Sequence, residues 1–199
     1  QVTMKISFKN DYSEGCHPRI LEARLKTNLE QQNGYGLDDY SKNVTQILRN
    51  RINDQKAEVY LVSGGTQANL IVISAFSRPF ESVIAAETGH IFTNETGAIE
   101  ATGHKVHGIP TEDGKLKPEH LQQVLDLHTN IPHQVKPKLV YISNSTEVGT
   151  IYSKQELADL SEFCKGNQLY LFVDGARLGH ALTAETNDFA MEDLAQYCD

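Results

Sequence analysis

Continuous apolar runs alternate along this chain with stretches whose apolar positions recur at helical spacing. The runs VYLV, LVYI and LYLFV are apolar throughout, as strands covered on both faces are. Between such runs the spacing turns helical: Ile20, Leu21, Leu25 and Leu29 share one face of a helix expected over 18–32, and Val44, Ile47 and Leu48 one face of a second over 39–51. The breaker cluster Asn33 to Gly36 separates these two. Strands are expected at 58–62, 82–86, 105–109, 139–142 and 169–173. Further helices are expected at 66–77, 118–127, 154–165 and 188–197, with Pro118 in a first turn, where its missing N–H costs nothing.

Strands alternating with helices in this way imply βαβ units and a mostly parallel sheet, a three-layer α/β/α sandwich. No internal repeat, low-complexity segment or clear linker interrupts the pattern. A strand should follow the last helix of such a series, so the pattern is expected to run on beyond Asp199.

Composition narrows the function classes. With 199 residues, 39% hydrophobic and 22% charged, the chain has the make-up of a globular protein with a real core. No apolar run approaches the ~18–20 residues of a membrane span, and the N-terminus has no signal-like apolar stretch. No membrane association is therefore expected. Net charge is −8 without a basic cluster, which argues against nucleic acid as a partner. Cys16, Cys164 and Cys198 are odd in number and far apart, pointing to a reducing cytoplasm rather than a disulfide or zinc framework. His104 and His107 differ in parity along a strand and face opposite ways, so no metal site is expected.

Ligands of open α/β sheets bind beyond the carboxyl ends of the strands. Four segments lie there. Ser63 to Asn69 joins two glycines to a helix start, which suits an anion such as a phosphate; an ordinary glycine turn with Thr66 as N-cap is the alternative. His90 ends the segment after SVIAA, placed to stack on a planar ligand or move a proton, or else to cap a strand end. Ser143 to Glu147 is polar and fits turn chemistry. Asp174 ends a buried strand, where a carboxylate needs a partner: a protonated ring nitrogen, or Arg177 three residues on.

Asn10 to Gly15, then GYGLDDY, SGGTQAN, ETGHIF, YISNSTEVGTIY and VDGARL, occur in an order and spacing that resembles the threonine aldolase/β-eliminating lyase family of pyridoxal 5'-phosphate (PLP) enzymes with the aspartate-aminotransferase-like fold. The similarity runs from about Lys5 to Asp199. It implies an incomplete PLP fold type I large domain over 41–199, preceded by an N-terminal segment and first helix over 1–40. Gly65, Thr66 and Gln67 would hold the cofactor phosphate, His90 would stack on the pyridine ring, and Asp174 would pair with the ring nitrogen. Arg177 would bind the substrate carboxylate, helped by Asn10, where the family often has a serine. Tyr35 would reach the active site of a neighbouring subunit in a homodimer or homotetramer, and His133 would sit near the substrate hydroxyl. The family's Schiff-base lysine follows the aspartate by about thirty residues, and residues 175–199 contain no lysine. The activity implied is cleavage of a β-hydroxy-α-amino acid, threonine or allo-threonine, to glycine and an aldehyde. β-Elimination from another amino acid, or a non-enzymatic phosphate-binding module, are the alternatives.

Overall fold

Six consecutive residues, Glu81 to Ala86, are all buried, and they form the first strand, β1, of a four-stranded parallel sheet. The computed structural model describes residues 6–199. In chain order the elements are α1 (Pro18–Thr27), α2 (Asp39–Ile52), α3 (Gly65–Phe76), β1 (Glu81–Ala86), α4 (His90–Thr93), β2 (Val106–Ile109), α5 (Pro118–Leu127), β3 (Lys136–Ser143), α6 (Lys154–Gly166), β4 (Tyr170–Asp174), α7 (Leu178–Thr183) and α8 (Met191–Tyr197). Strand order is β2-β1-β3-β4, every pair parallel. The chain divides into one unit up to Lys42 and a second from Asn43 to Asp199.

Strand periodicity sorts the second unit's core into two layers. Val83, Ala85, Leu139 and Tyr141 point to one face, where Ile73 of α3, Ile91 of α4 and Ile99 cover them. Ile84, Ala86, Val140, Ile142 and Leu171 point to the other, against Leu121 and Val124 of α5, Leu157 and Leu160 of α6, and Ala181 of α7. The α/β/α sandwich expected from the continuous apolar runs is present. In the first unit α1 buries none of its residues, and Leu25 is 78% and Leu29 91% exposed.

Two expectations need correction. Residues 58–62 form no strand: Tyr60, Leu61 and Val62 are exposed, and no described strand pairs with them. β-Branched and aromatic composition favours a strand only where a ladder partner exists. The first helix stops at Thr27, five residues short; none of its residues is buried, so its apolar stripe gains little from packing among the described residues. Helices α4 and α7 were not expected; at four and six residues they are too short to show a period. Among the described residues no helix is long and apolar enough to cross a membrane.

Candidate functional site

Because the strands are parallel, the carboxyl ends of β1, β3 and β4 lie along one edge of the sheet, with Ser143 opposite Asp174. Glu87–His90, Asn144–Glu147 and Gly175–Arg177 follow them there. Helix α3 starts beside them: Asn69, four residues and about 6 Å along the axis from Gly65, reaches Asp174.

Asp174 is half-buried and held by three donors among the described residues. Its Oδ2 accepts from the Tyr141 hydroxyl at 2.7 Å and from Asn69 Nδ2 at 3.3 Å, and its Oδ1 accepts the Ala176 N–H at 3.0 Å. Burial, and next the charge of Asp174, pushes the Tyr141 hydroxyl far above its ordinary range, so it stays a neutral donor. Asn69 is 1% exposed, and its Nδ2 also donates to Glu95 Oε1 at 2.8 Å. The same Glu95 oxygen lies 2.9 Å from His90 Nδ1. The His90 backbone N–H donates to Glu147 Oε1 at 3.0 Å, and that oxygen accepts the Ser143 hydroxyl at 2.6 Å. Ser143 Oγ also stands 3.3 Å from the Tyr141 oxygen. A hydroxyl has one hydrogen, and the shorter bond to Glu147 takes it. A closed circuit of polar contacts thus ties α3, α4, β3 and β4 together around the sheet edge.

A glycine precedes His90 for a steric reason. A Cβ on Gly89 would stand 2.9 Å from the Ala86 carbonyl oxygen and 3.5 Å from the Tyr141 ring, so only a bare backbone brings His90 this close to β1. At the start of α3 the opposite holds: a Cβ on Gly64 or Gly65 would meet nothing within 4 Å. The first-turn N–H groups of α3 have no carbonyl of their own helix to bond, as at any helix start. Thr66 is not the N-cap, which is Gly64, and the Gln67 Oε1 accepts from the backbone N–H and hydroxyl of Ser63 at 2.8 and 2.7 Å.

The structure therefore gathers Gly65, Thr66, Gln67, His90, Asp174 and Arg177 at one edge; Arg177, half-buried, immediately precedes α7. It does not bring His133 there. That residue is exposed in the turn before β3, at the amino end of a strand whose carboxyl end faces Asp174. Lys136 to Ser143 spans about 23 Å, so parallel pairing sets His133 at the opposite edge. Asn10 and Tyr35 lie in the first unit. Asn10 Oδ1 accepts from the Tyr12 N–H and the Ser13 hydroxyl, and Tyr35 is fully exposed with φ 62°. His104 and His107 reach different groups, the Glu81 carbonyl and the Ser82 hydroxyl.

The family model of the β-eliminating lyases matches residues 11–199. The chain belongs to this family. It is 34% identical over 176 residues to the low specificity L-threonine aldolase of Pseudomonas aeruginosa, covering 87% of this chain and 50% of that protein. The solved structure of Leishmania major threonine aldolase superposes with a TM-score of 0.94 at 49% identity, covering 96% of this chain and 55% of that one. A PLP-bound C–S lyase from Staphylococcus hominis, 16% identical with a TM-score of 0.56, shares the fold. The chain spans about half the length of the curated relatives it matches.

Some polar residues of this edge have no role of their own in the sequence reading: Tyr141, Glu95 just beyond ETGHIF, and Asn69 and Glu147, which end two of the candidate segments. Asn69 had a visible signal, an amide in step with Ile73 on an apolar helix face. Tyr141 sits inside an apolar run, where an aromatic ring reads as core and its hydroxyl goes unnoticed.

Proposed function

We propose that this chain carries the PLP-binding part of a lyase that cleaves threonine, allo-threonine or a similar β-hydroxy-α-amino acid to glycine and an aldehyde. The observation that carries it is Asp174, fixed by Tyr141 and Asn69 beside the open start of α3 and on the same edge as His90. The residues fit such a cofactor. A helix start with room around Gly64 and Gly65 suits a phosphate on the N–H groups of Gly65, Thr66 and Gln67, and a strand-end carboxylate suits a protonated ring nitrogen. His90, its ring 44% exposed, covers the ring face. When bound, PLP supplies an electron sink for the carbanion left as the Cα–Cβ bond breaks.

The protein's own part is to bind and orient. Asp174 keeps a proton on the ring nitrogen. Arg177 takes the substrate carboxylate through its guanidinium fork. Tyr35 serves a neighbouring subunit's site, which makes the working state a homodimer or homotetramer; a fully exposed tyrosine in a left-handed turn supports this. His133 lies at the edge of the sheet opposite Asp174 of its own chain. The similarity to threonine aldolases at 34% and 49% identity supports aldol cleavage over elimination. A reducing compartment such as the cytoplasm suits three free cysteines, of which Cys164 and Cys198 are pushed up to about 12, mainly by burial.

Because the chain spans about half the length of the relatives it matches, the test uses the protein at its full natural length. Glycine, aldehyde and 2-oxo acid are assayed in parallel on threonine, allo-threonine and serine. Glycine and acetaldehyde in equal amounts from threonine or allo-threonine is the expected outcome. Oxo acid without aldehyde would assign the protein to elimination instead.

A further inference from the structure

We propose that Glu95 is the positioning residue of this site: its buried carboxylate, joined to Asp174 through Asn69, holds the His90 imidazole with the hydrogen on Nδ1 and leaves Nε2 bare on the open side. The proposal deepens the function above and rests on it for its catalytic consequence.

Four observations converge. The Glu95 side chain is 1% exposed and its Oε1 lies 2.9 Å from His90 Nδ1. That oxygen already accepts the Asn69 N–H, so it meets the ring as an acceptor, and the hydrogen of a neutral imidazole belongs on the nitrogen facing it. The rest of the ring is on the open side, 44% exposed, and Nε2 has no partner among the described residues.

Next, Asn69 Nδ2 has two hydrogens and two carboxylate acceptors, Glu95 Oε1 at 2.8 Å and Asp174 Oδ2 at 3.3 Å. One buried amide therefore spaces the ring-nitrogen partner from the group that orients His90.

Third, Glu95 Oε2 is buried without a hydrogen-bond partner among the described residues. A carboxylate that served only to stabilise the fold would be poorly placed with an oxygen stranded in this way. Its position makes sense if its task is directed at Oε1 and the two donors there.

Fourth, Glu95, Thr96 and Gly97 have φ of 62°, 53° and 76°. Two consecutive non-glycine residues in the left-handed region are strained. The turn swings the Glu95 side chain inward to His90, five residues back, where a regular continuation of α4 would carry it past.

The consequence is chemical. An imidazole whose Nε2 is free of hydrogen can accept a proton, as departure of an aldehyde from a β-hydroxy-amino acid requires; an Nε2–H cannot. The role of Glu95 is to position His90, with Asn69 as its second partner.

The test uses the protein at its full natural length, labelled with 15N-histidine and freed of cofactor. Long-range 1H–15N spectra at pH 9, where imidazoles are neutral, report the tautomer of His90 directly. The wild type should show Nδ1–H. Glu95→Gln, which still offers an oxygen to both donors, should keep it. Glu95→Leu should shift His90 to Nε2–H, and with cofactor restored its kcat on threonine should fall about 10–100-fold while KM changes less than threefold. His90 found as Nε2–H in the wild type overturns the proposal even if Glu95→Leu does not fold. So does an unchanged tautomer, or an unchanged kcat, in a folded Glu95→Leu. Wild-type protein that shows Nδ1–H but cleaves no threonine would refute the reaction proposed above and leave the positioning of His90 standing, so the two failures are distinguishable.

Discussion

Three donors converge on Asp174, and each makes a different statement about the site. The Ala176 N–H is local turn geometry, whereas Tyr141 and Asn69 come from 33 and 105 residues away. Asp174→Ala should lower kcat at least about 100-fold, the loss of a hydrogen bond to a charged group at the upper end of its range. Its far-UV circular dichroism should match wild type, because the residue ends a strand rather than filling the core. Turnover within about threefold of wild type would mean that Asp174 is not the ring partner. Tyr141→Phe keeps the buried ring and removes the donor; urea denaturation should show a loss of about 1.5–3 kcal/mol. The contrast explains what was legible in the sequence. Asp174 announces itself as a lone carboxylate after LYLFV, and His90 as a polar residue after SVIAA. Tyr141, Asn69 and Glu95 acquire their roles only through partners brought near by the fold. His133 is suggested by its spacing from Asn144, but spacing does not show that the turn and the site lie at opposite ends of β3.

Helix α6 shows local chemistry that does survive in the sequence. Ser153 Oγ accepts the Glu156 N–H at 3.2 Å, and Glu156 Oε2 accepts the Ser153 N–H at 2.8 Å, a reciprocal cap. Ser153→Ala should cost about 1 kcal/mol in thermal or urea unfolding. Between β2 and α5 the chemistry is nonlocal. The His107 ring meets His128 edge-on at 4.4 Å, and its Nε2 lies 2.9 Å from the Ser82 hydroxyl. Burial first, then His128 and Lys105, lowers His107 to about 4 from the ordinary 6.5. The unfolded chain takes up a proton at His107 below pH 6.5 while the folded one does not. Stability contributed by this residue is therefore complete above 6.5 and lost progressively as pH falls from 6.5 toward 4. His107→Gln should flatten the urea-midpoint profile across that window; an unchanged slope would place the acid sensitivity elsewhere. Where elements were misjudged, the missing information was again a partner. Residues 58–62 have strand composition but no ladder, and α1 has an apolar stripe with nothing buried beneath it.

At the scale of the molecule, a sheet with apolar cores on both faces fixes the three carboxyl-terminal edges that the site needs. Continuous apolar runs make that architecture legible in the amino-acid order itself, because doubly covered strands have no polar face to alternate. The proposed sharing of Tyr35 between subunits predicts that the protein at its full natural length sediments as a dimer or tetramer at micromolar concentration, and a fully active monomer would remove Tyr35 from the site. If the edge where α3 begins, with His90 and Asp174 beside it, is a cofactor site, it must bind PLP. An equilibrium titration of the full-length protein with PLP, followed by the absorbance and fluorescence of the bound cofactor, tests it most directly. Binding should saturate at one PLP per chain, with Asp174→Ala binding about 10–100-fold more weakly. Absence of saturable binding in the wild type, or identical affinity in the two proteins, would contradict it.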